Sequence, residues 1–101
     1  MAEYRLAPAA QRDLEKIWKY SVQHWSASTA DQYLERLTAA FADLLQHPMA
    51  AMACDDIRPG YRRRRIERHI IYFRVTDYGI AIIRVLHERM DPARRLSVKP
   101  T

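Results

Sequence analysis

The spacing of the apolar residues changes once along this chain, close to Gly60, and that change limits the folds it can adopt. Before Gly60, apolar side chains recur every three or four residues, which is typical of one face of an amphipathic helix. From Tyr61 onward they alternate with polar residues or run continuously, which indicates strands. The chain has 101 residues, enough for one hydrophobic core. The sequence therefore predicts a single α+β domain with its helices before most of its strands.

Two helices are predicted in the first half, over residues 9–24 and 27–46. Ser26 and Ser28 can each cap the second helix, and the sequence does not distinguish between them. Pro48 ends this helix, because the residue before a proline is disfavoured in the helical region. The link between the helices is short, so they should form an antiparallel hairpin whose apolar faces cover a common surface.

Four strands are predicted to supply that surface. They are Glu3–Leu6, Tyr61–Ile66, His69–Thr76 and Ile80–His87. The first is short enough to be an edge strand, and the last is apolar enough to be a central strand with both faces covered. Residues 48–60 are predicted to form a loop. Asp91 can cap, and Pro92 can start, a short helical turn after the last strand.

The order β-α-α-β-β-β implies a helix hairpin packed on one face of a mainly antiparallel sheet. The domain is expected to span residues 1–96, followed by a frayed tail over residues 97–101. No element remains to cover the other face of the sheet, which is therefore expected to be partly open. The predicted core consists of Leu14, Ile17, Trp18, Leu34, Leu37, Phe41, Leu44, Ile71, Phe73, Ile83 and Val85.

Basic charge is concentrated in the second half of the chain and is carried mainly by arginine. Residues 1–50 contain five Lys or Arg against six Asp or Glu, and residues 51–101 contain twelve against six, which gives a net charge of +5. The guanidinium group matches both carboxylates and phosphates, so this half is predicted to meet a partner that offers one of them. The alternative is an ordinary solvated basic surface.

Arg62–Arg65 is a run of four arginines within a predicted strand. Alternate residues of a strand share a face, so the first and third members lie on one side and the other two on the opposite side. Buried unpaired cations are prohibitive, so one pair is expected on the open sheet face, unless the strand is an edge with both faces wet. Arg74 and Arg84 interrupt apolar strands, and each needs a carboxylate, a carbonyl or a ligand as partner.

Several kinds of site are unsupported by the sequence. The one cysteine, Cys54, cannot form an internal disulfide, and the four histidines show no paired metal-ligand spacing, so no metal and no other cofactor is expected. With two glycines, the chain has no glycine-rich phosphate loop. No secretory signal or run of about 18 apolar residues is visible, which predicts a cytoplasmic protein without membrane contact.

Three stretches of the chain are similar to one known family: YRLAPAAQRDLEKIWKY at Tyr4–Tyr20, DDIRPGYRRRRIERHIIYFRV at Asp55–Val75 and IIRVLHERMD at Ile82–Asp91. Together they resemble the ParE-type toxins of the RelE/ParE superfamily of type II toxin–antitoxin systems. The resemblance implies a bacterial toxin that inhibits DNA gyrase and blocks replication. It also implies a ParD-like antitoxin that holds the toxin inactive and provides the contact with operator DNA, so that the toxin itself meets DNA only indirectly.

The resemblance also directs attention to two groups of residues. An acidic antitoxin segment that folds on contact should bind the basic half and the open sheet face. The candidate antitoxin-binding residues are Arg62, Arg64 and Arg84. The polar segment directly after the last apolar strand must emerge at the rim of the domain, where a target protein can reach it. The candidate target-binding residues are His87, Arg89, Asp91 and Arg94. No catalytic residue is expected for a toxin that acts by binding.

Two other functions compete with gyrase inhibition. A RelE-like, ribosome-dependent mRNA endonuclease needs a base, an acid and cations for the phosphorane charge. Some of these roles could be filled by Arg62, Arg64, Arg84 and His87. RelE-like nucleases carry a Tyr or His past the last strand, where this chain has residues 88–91, so gyrase inhibition is favoured. A plain nucleic-acid-binding module has the charge but lacks exposed aromatics interleaved with the basic strand.

Overall fold

The computed structural model describes residues 2–96 and confirms the predicted α+β fold, a helix hairpin on a mainly antiparallel sheet. The elements are β1 (Glu3–Leu6), α1 (Pro8–His24), α2 (Ala27–Gln46), a 3₁₀ turn (Pro48–Ala50), β2 (Met52–Ala53), β3 (Tyr61–Ile66), β4 (His69–Thr76), β5 (Gly79–His87) and α3 (Pro92–Leu96). The 3₁₀ turn and the short β2 fall within the predicted loop. The predicted tail, residues 97–101, lies outside the described residues.

Local signals set the ends of the two long helices. Pro8 occupies the first turn of α1, where its missing N–H would have no partner in any case. The hydroxyl of Ser26 accepts a hydrogen bond of 3.0 Å from the backbone N–H three residues on, so Ser26 rather than Ser28 caps α2. His47 leaves the helical region immediately before Pro48, as expected for a residue that precedes proline.

The five strands form one sheet in the order β1-β5-β4-β3-β2. β1 runs parallel to β5, and the other neighbouring pairs are antiparallel. As predicted, β1 lies at an edge and β5 lies inside the sheet. The contact between them is close at Gly79, where a Cβ atom would lie 2.1 Å from the carbonyl oxygen of Glu3. Gly79 also has a φ of +141°, so both space and backbone conformation require glycine here.

One hydrophobic core lies between the helix hairpin and the sheet. Phe41 of α2 is fully buried there against Ile71 and Phe73 of β4. Trp18 was predicted to join this core, but it is 39% exposed and its indole N–H donates to Asp31 at 2.9 Å. The prediction for Trp18 is therefore wrong, because its ring lies at the outer seam between α1 and α2, where a carboxylate satisfies its polar edge.

A second, smaller core covers the opposite face of the sheet. Tyr72 and Leu86 of the sheet pack there with Cys54, from the loop between β2 and β3, and with Leu96 of α3. Ile83, which was predicted to face the helices, packs against this second cluster. The expectation of a partly open face is therefore wrong, because the loop and α3 supply a cover. The two sides of the sheet are named the hairpin face and the α3 face below.

A buried ion pair joins α1 to β5. The side chain of Asp13 is 8% exposed and accepts two hydrogen bonds of 2.8 Å from the guanidinium of Arg84. The same carboxylate accepts the backbone N–H of Val85 at 2.9 Å. β5 carries one extra residue opposite Tyr72, and such a bulge removes backbone groups from the regular ladder. The partner that the sequence required for Arg84 is thus supplied by the chain itself.

Replacing Asp13 with alanine should lower the free energy of unfolding by about 3–5 kcal/mol, because Arg84 would be left largely buried without a counter-charge. Urea unfolding of the purified variant measures the loss. Glu15→Ala is the matched control, since it removes an exposed carboxylate two residues along the same helix. The control should change stability by less than about 0.5 kcal/mol. Equal effects of the two substitutions would contradict a structural role for the pair.

Candidate functional site

The four arginines of β3 are divided between the two faces of the sheet. Residues directly opposite one another in an antiparallel pair share a face. The register places Arg62 opposite Phe73, in the core beneath the helices, and Arg63 opposite Tyr72, in the second core. Arg62 and Arg64 therefore lie on the hairpin face. Arg63 and Arg65 lie on the α3 face.

On the hairpin face, Arg62 and Arg64 contact groups of the chain itself. The guanidinium of Arg62 donates to the carbonyl oxygen of Ala51 at 2.6 Å and to that of Met49 at 3.4 Å. Arg64 forms an ion pair with Asp43 of α2. The sequence predicted one pair on an open sheet face without assigning which pair, and Arg62 and Arg64 are the two on the face that the helix hairpin covers. Their role as antitoxin contacts stays a prediction.

A groove of about 460 Å³ lies beside these arginines at the edge of the sheet. Its lining, contributed by the end of α2 and by the segment from the 3₁₀ turn to β3, includes Asp43, Leu44, His47, Met52, Arg63 and Arg64. Met49 and Met52 are 67% and 62% exposed. Methionine side chains adapt to varied apolar partners, and guanidinium groups bind carboxylates. The groove therefore combines the two properties that an acidic, amphipathic segment needs.

Arg84, the third candidate antitoxin contact, is turned toward α1. Its side chain is 19% exposed and holds Asp13 through two hydrogen bonds. These bonds raise the pKa of Arg84 above its ordinary value. The geometry assigns this residue a structural role, and an antitoxin contact through it stays a prediction.

The candidate target-binding residues lie on one segment at the end of β5. His87 ends the strand and is partly buried, whereas Arg89, Asp91 and Arg94 are exposed. Asp91 accepts the backbone N–H of Ala93 at 3.0 Å, at the start of α3 where the sequence predicted a cap. The segment thus emerges at the rim of the domain, and its contact with a target stays a prediction.

Tyr33, His69 and His87 form a cluster that was not predicted from the sequence. The hydroxyl of Tyr33 lies 2.6 Å from Nδ1 of His69, and the two histidine rings meet edge to face with centroids 5.4 Å apart. Burial, followed by the nearness of His87, lowers the pKa of His69 to about 4, and burial raises the pKa of Tyr33 to about 12. His69 and His87 are register partners because of the extra residue in β5; counted from the Thr76–Gly79 pair without that bulge, Leu86 would lie opposite His69, so the strand pattern alone does not reveal the cluster.

The surroundings of His87 are unfavourable for a general base. Its Nδ1 lies 3.1 Å from the backbone N–H of Arg89. A backbone N–H can only donate, so the neutral imidazole carries its proton on Nε2. The lone pair that would accept a proton from a substrate is already engaged with the protein. His69, with its pKa lowered to about 4, is neutral at physiological pH and is held against Tyr33.

Within residues 2–96, no group of three or more His, Cys, Asp or Glu side chains is placed to hold a metal ion. None of the helices in this part of the chain is long and apolar enough to cross a membrane. Cys54 is buried in the second core, and burial raises the pKa of its thiol, so the thiol stays protonated at neutral pH.

Comparison with known proteins gives consistent results. Toxin ParE1 of Mycobacterium tuberculosis (strain ATCC 25618 / H37Rv) is 44% identical over 96 residues, which cover 94% of this chain and 98% of that protein. Toxin ParE1 of Caulobacter vibrioides is 36% identical over 96 residues, which cover 95% and 99% of the two chains. A solved structure described as a chromosomal ParDE TA system from P. aeruginosa has a TM-score of 0.76 at 21% identity. It covers 86% of this chain and 96% of its own, and it supports the fold.

The family comparison extends over most of the chain. The family described as ParE toxin of type II toxin-antitoxin system, parDE, matches residues 4–92. This range begins in β1 and ends at the start of α3, so it includes the helix hairpin, the arginine run and most of the rim segment. The chain belongs to the ParE toxin family of type II toxin–antitoxin systems.

Proposed function

We propose that this ParE-family toxin inhibits DNA gyrase in the bacterial cytoplasm by binding it, and that a ParD-like antitoxin neutralises the toxin. The observation that carries the choice of binding over catalysis is the hydrogen bond between the Arg89 N–H and Nδ1 of His87. An endonuclease on this fold would need His87 as its base, and that bond occupies the atom that would accept the proton. His69 beside it is too strongly buried to bind a proton at neutral pH.

The proposed gyrase contact is the rim segment after β5. Arg89, Asp91 and Arg94 are exposed there, next to Met90, which is 41% exposed. Arginine and methionine are enriched where proteins bind one another, so this mixture of charge and apolar area supports a protein-binding surface. α3 packs onto the sheet through Leu96, which holds the segment in a defined position.

His87→Gln should leave gyrase inhibition nearly unchanged, because glutamine keeps a hydrogen-bonding group of similar reach at the rim. A nuclease that uses His87 as its base would lose about 10²-fold or more in rate, because glutamine cannot accept the proton. The test measures DNA supercoiling by purified gyrase and mRNA cleavage on translating ribosomes, each with the wild-type protein and with the variant.

Two single substitutions test the proposed gyrase contact: Arg89→Glu at the rim is the test variant, and Arg12→Glu on the exposed side of α1 is its control. Both substitutions change the net charge equally, but only Arg89→Glu should weaken gyrase inhibition. Two results together would overturn gyrase targeting and establish the endonuclease. The wild-type protein would cleave mRNA without inhibiting supercoiling by gyrase, and His87→Gln would abolish that cleavage.

For the antitoxin, we propose that an acidic segment binds the groove beside Arg62 and Arg64. Leu44 and Met52 supply apolar area in the groove beside Arg64, and Arg62 reaches it through its hydrogen bond to the carbonyl oxygen of Ala51 in the groove lining. The carbonyl oxygens that hold Arg62 leave its charge uncompensated. Arg84 acts indirectly in this proposal, by fixing β5 against α1. A neighbouring reading frame for a ribbon-helix-helix protein with an acidic, amphipathic C-terminal half would supply the partner for the test.

Changing Arg62 and Arg64 together to glutamate should weaken the complex with that antitoxin by more than about tenfold, because two attractive contacts become repulsive. The wild-type complex should also weaken as salt is raised, since part of its affinity is electrostatic. Isothermal titration calorimetry at low and high salt measures both effects. Circular dichroism checks that the variant is folded.

The control for this pair is Arg12→Glu with Arg36→Glu, which alters the charge by the same amount on the helices and should leave affinity within about twofold. If the variant with Arg62 and Arg64 changed to glutamate binds the antitoxin with unchanged affinity at both salt concentrations, the groove beside these arginines is not the antitoxin site. The contact would then belong to the shallow groove of about 540 Å³ lined by Leu14, Trp18 and Leu34 on the outside of the helix hairpin.

A further inference from the structure

Intramolecular ion pairs neutralise the arginines unevenly around the sheet. Toward the helices, Arg64 is paired with Asp43 and Arg84 with Asp13, which leaves Arg62, held by backbone carbonyl oxygens, as the arginine of that face without a carboxylate partner among the described residues. The α3 face differs. Among residues 2–96, no ion pair involves Arg58, Arg63 or Arg74, all of which border that face. The α3 face therefore has three guanidinium groups that no carboxylate within residues 2–96 pairs directly.

Two of these guanidinium groups are held in place by neutral partners. Arg58 lies over the ring of Tyr61, 5.1 Å from its centroid, and donates to the carbonyl oxygen of Leu96 at 3.1 Å. Nη2 of Arg63 lies 3.3 Å from Sδ of Met52. Such contacts restrict the side chains without removing their charge, so less conformational entropy is lost when an anion binds.

The position of Arg74 follows from the register of the sheet. Arg74 is opposite Tyr61, a residue of the second core, so its side chain leaves β4 on the α3 face. It is exposed to solvent. Toward the opposite end of β4, Arg65 and Arg68 share the single carboxylate of Glu88, which leaves a further positive charge there.

We propose that the α3 face binds the phosphate backbone of double-stranded DNA directly, through Arg58, Arg63 and Arg74. The family resemblance implied that the toxin meets DNA only through the antitoxin. The present proposal differs, because the arginines that would contact the phosphates belong to the toxin itself. Phosphate contacts of this kind carry no sequence information, so the binding is predicted to be non-specific. The inference does not depend on the identity of the toxin's target.

The surroundings of the arginines favour a duplex over a single strand. Proteins that bind unpaired bases stack them on exposed aromatic side chains. The aromatic rings on the α3 face, Tyr61 and Tyr72, are only 7% and 1% exposed. Within residues 2–96, the aromatic residues that are well exposed are Trp18, Tyr20 and Trp25, all of which belong to α1 or follow it directly.

An acidic peptide is a less suitable occupant of the α3 face. A peptide gains affinity by inserting alternate side chains into apolar pockets or by adding a strand to a sheet edge. The apolar residues of the second core are already covered by the loop between β2 and β3 and by α3. What remains accessible around the closed core is Arg58, Arg63 and Arg74, with Asp55 and Asp56 exposed on the covering loop, and these arginines are groups that phosphates bind.

The test measures binding of the full-length toxin, free of antitoxin, to a short blunt-ended duplex of mixed sequence by fluorescence anisotropy. Three phosphate contacts predict a slope of about −2.7 when the logarithm of the association constant is plotted against that of the salt concentration. Arg63→Gln with Arg74→Gln should lower affinity by about tenfold or more at about 50 mM salt and reduce the slope to about −0.9.

The control is Arg12→Gln with Arg36→Gln, which removes the same charge from the helices and should change affinity by less than about twofold. Arg74→Gln alone is included because this side chain is exposed to solvent, so its loss should leave the fold intact. This single substitution should reduce the steepness of the slope by about 0.9. Equal effects of the test and control pairs would overturn the proposal, as would undetectable binding at low salt. If poly-glutamate displaces the labelled duplex at a lower concentration than unlabelled duplex DNA does, the α3 face binds an acidic protein instead. Because gyrase is absent from the assay, none of these outcomes bears on gyrase inhibition.

Discussion

The carboxylate of Asp13 determines how the helices lie on the sheet. It accepts three hydrogen bonds from β5, two from the guanidinium of Arg84 and one from the backbone N–H of Val85. Both donors would otherwise be buried without partners, a cost that hydrophobic packing alone cannot remove. β1 and β4 both pair with β5, so the same contact that places α1 on this strand also places the helix hairpin on the whole sheet.

The parts of the fold that depend on local pattern are the ones that the sequence predicted well. The change of apolar period near Gly60 located both long helices and the three long strands, because period is a property of neighbouring residues. The second core has no such signal. Cys54 and Leu96 are single apolar residues in segments without any repeat, and their burial depends on where the chain folds back over the sheet.

The candidate site shows the same division between local and tertiary information. Alternation along β3 predicted that its arginines are separated into two pairs, but a period gives only relative orientation. The absolute assignment depends on the cross-strand neighbours, and the pairing of Arg62 with Phe73 puts this arginine under the helices. The contact between His69 and His87 also depends on tertiary detail, because the bulge in β5 shifts the register by one residue and sets His87, rather than Leu86, opposite His69.

The parallel pairing of β1 with β5 has a consequence for how the protein is made. β1 precedes the other strands of the sheet in the sequence, and its partner residues begin at Gly79, in the last of them. The helix hairpin relies on contacts between neighbours in sequence and can form early, whereas β1 has no strand to join until β5 is synthesised. A nascent chain that stops before Gly79 therefore lacks the strand that β1 needs, and the sheet is completed only after β5 has been made.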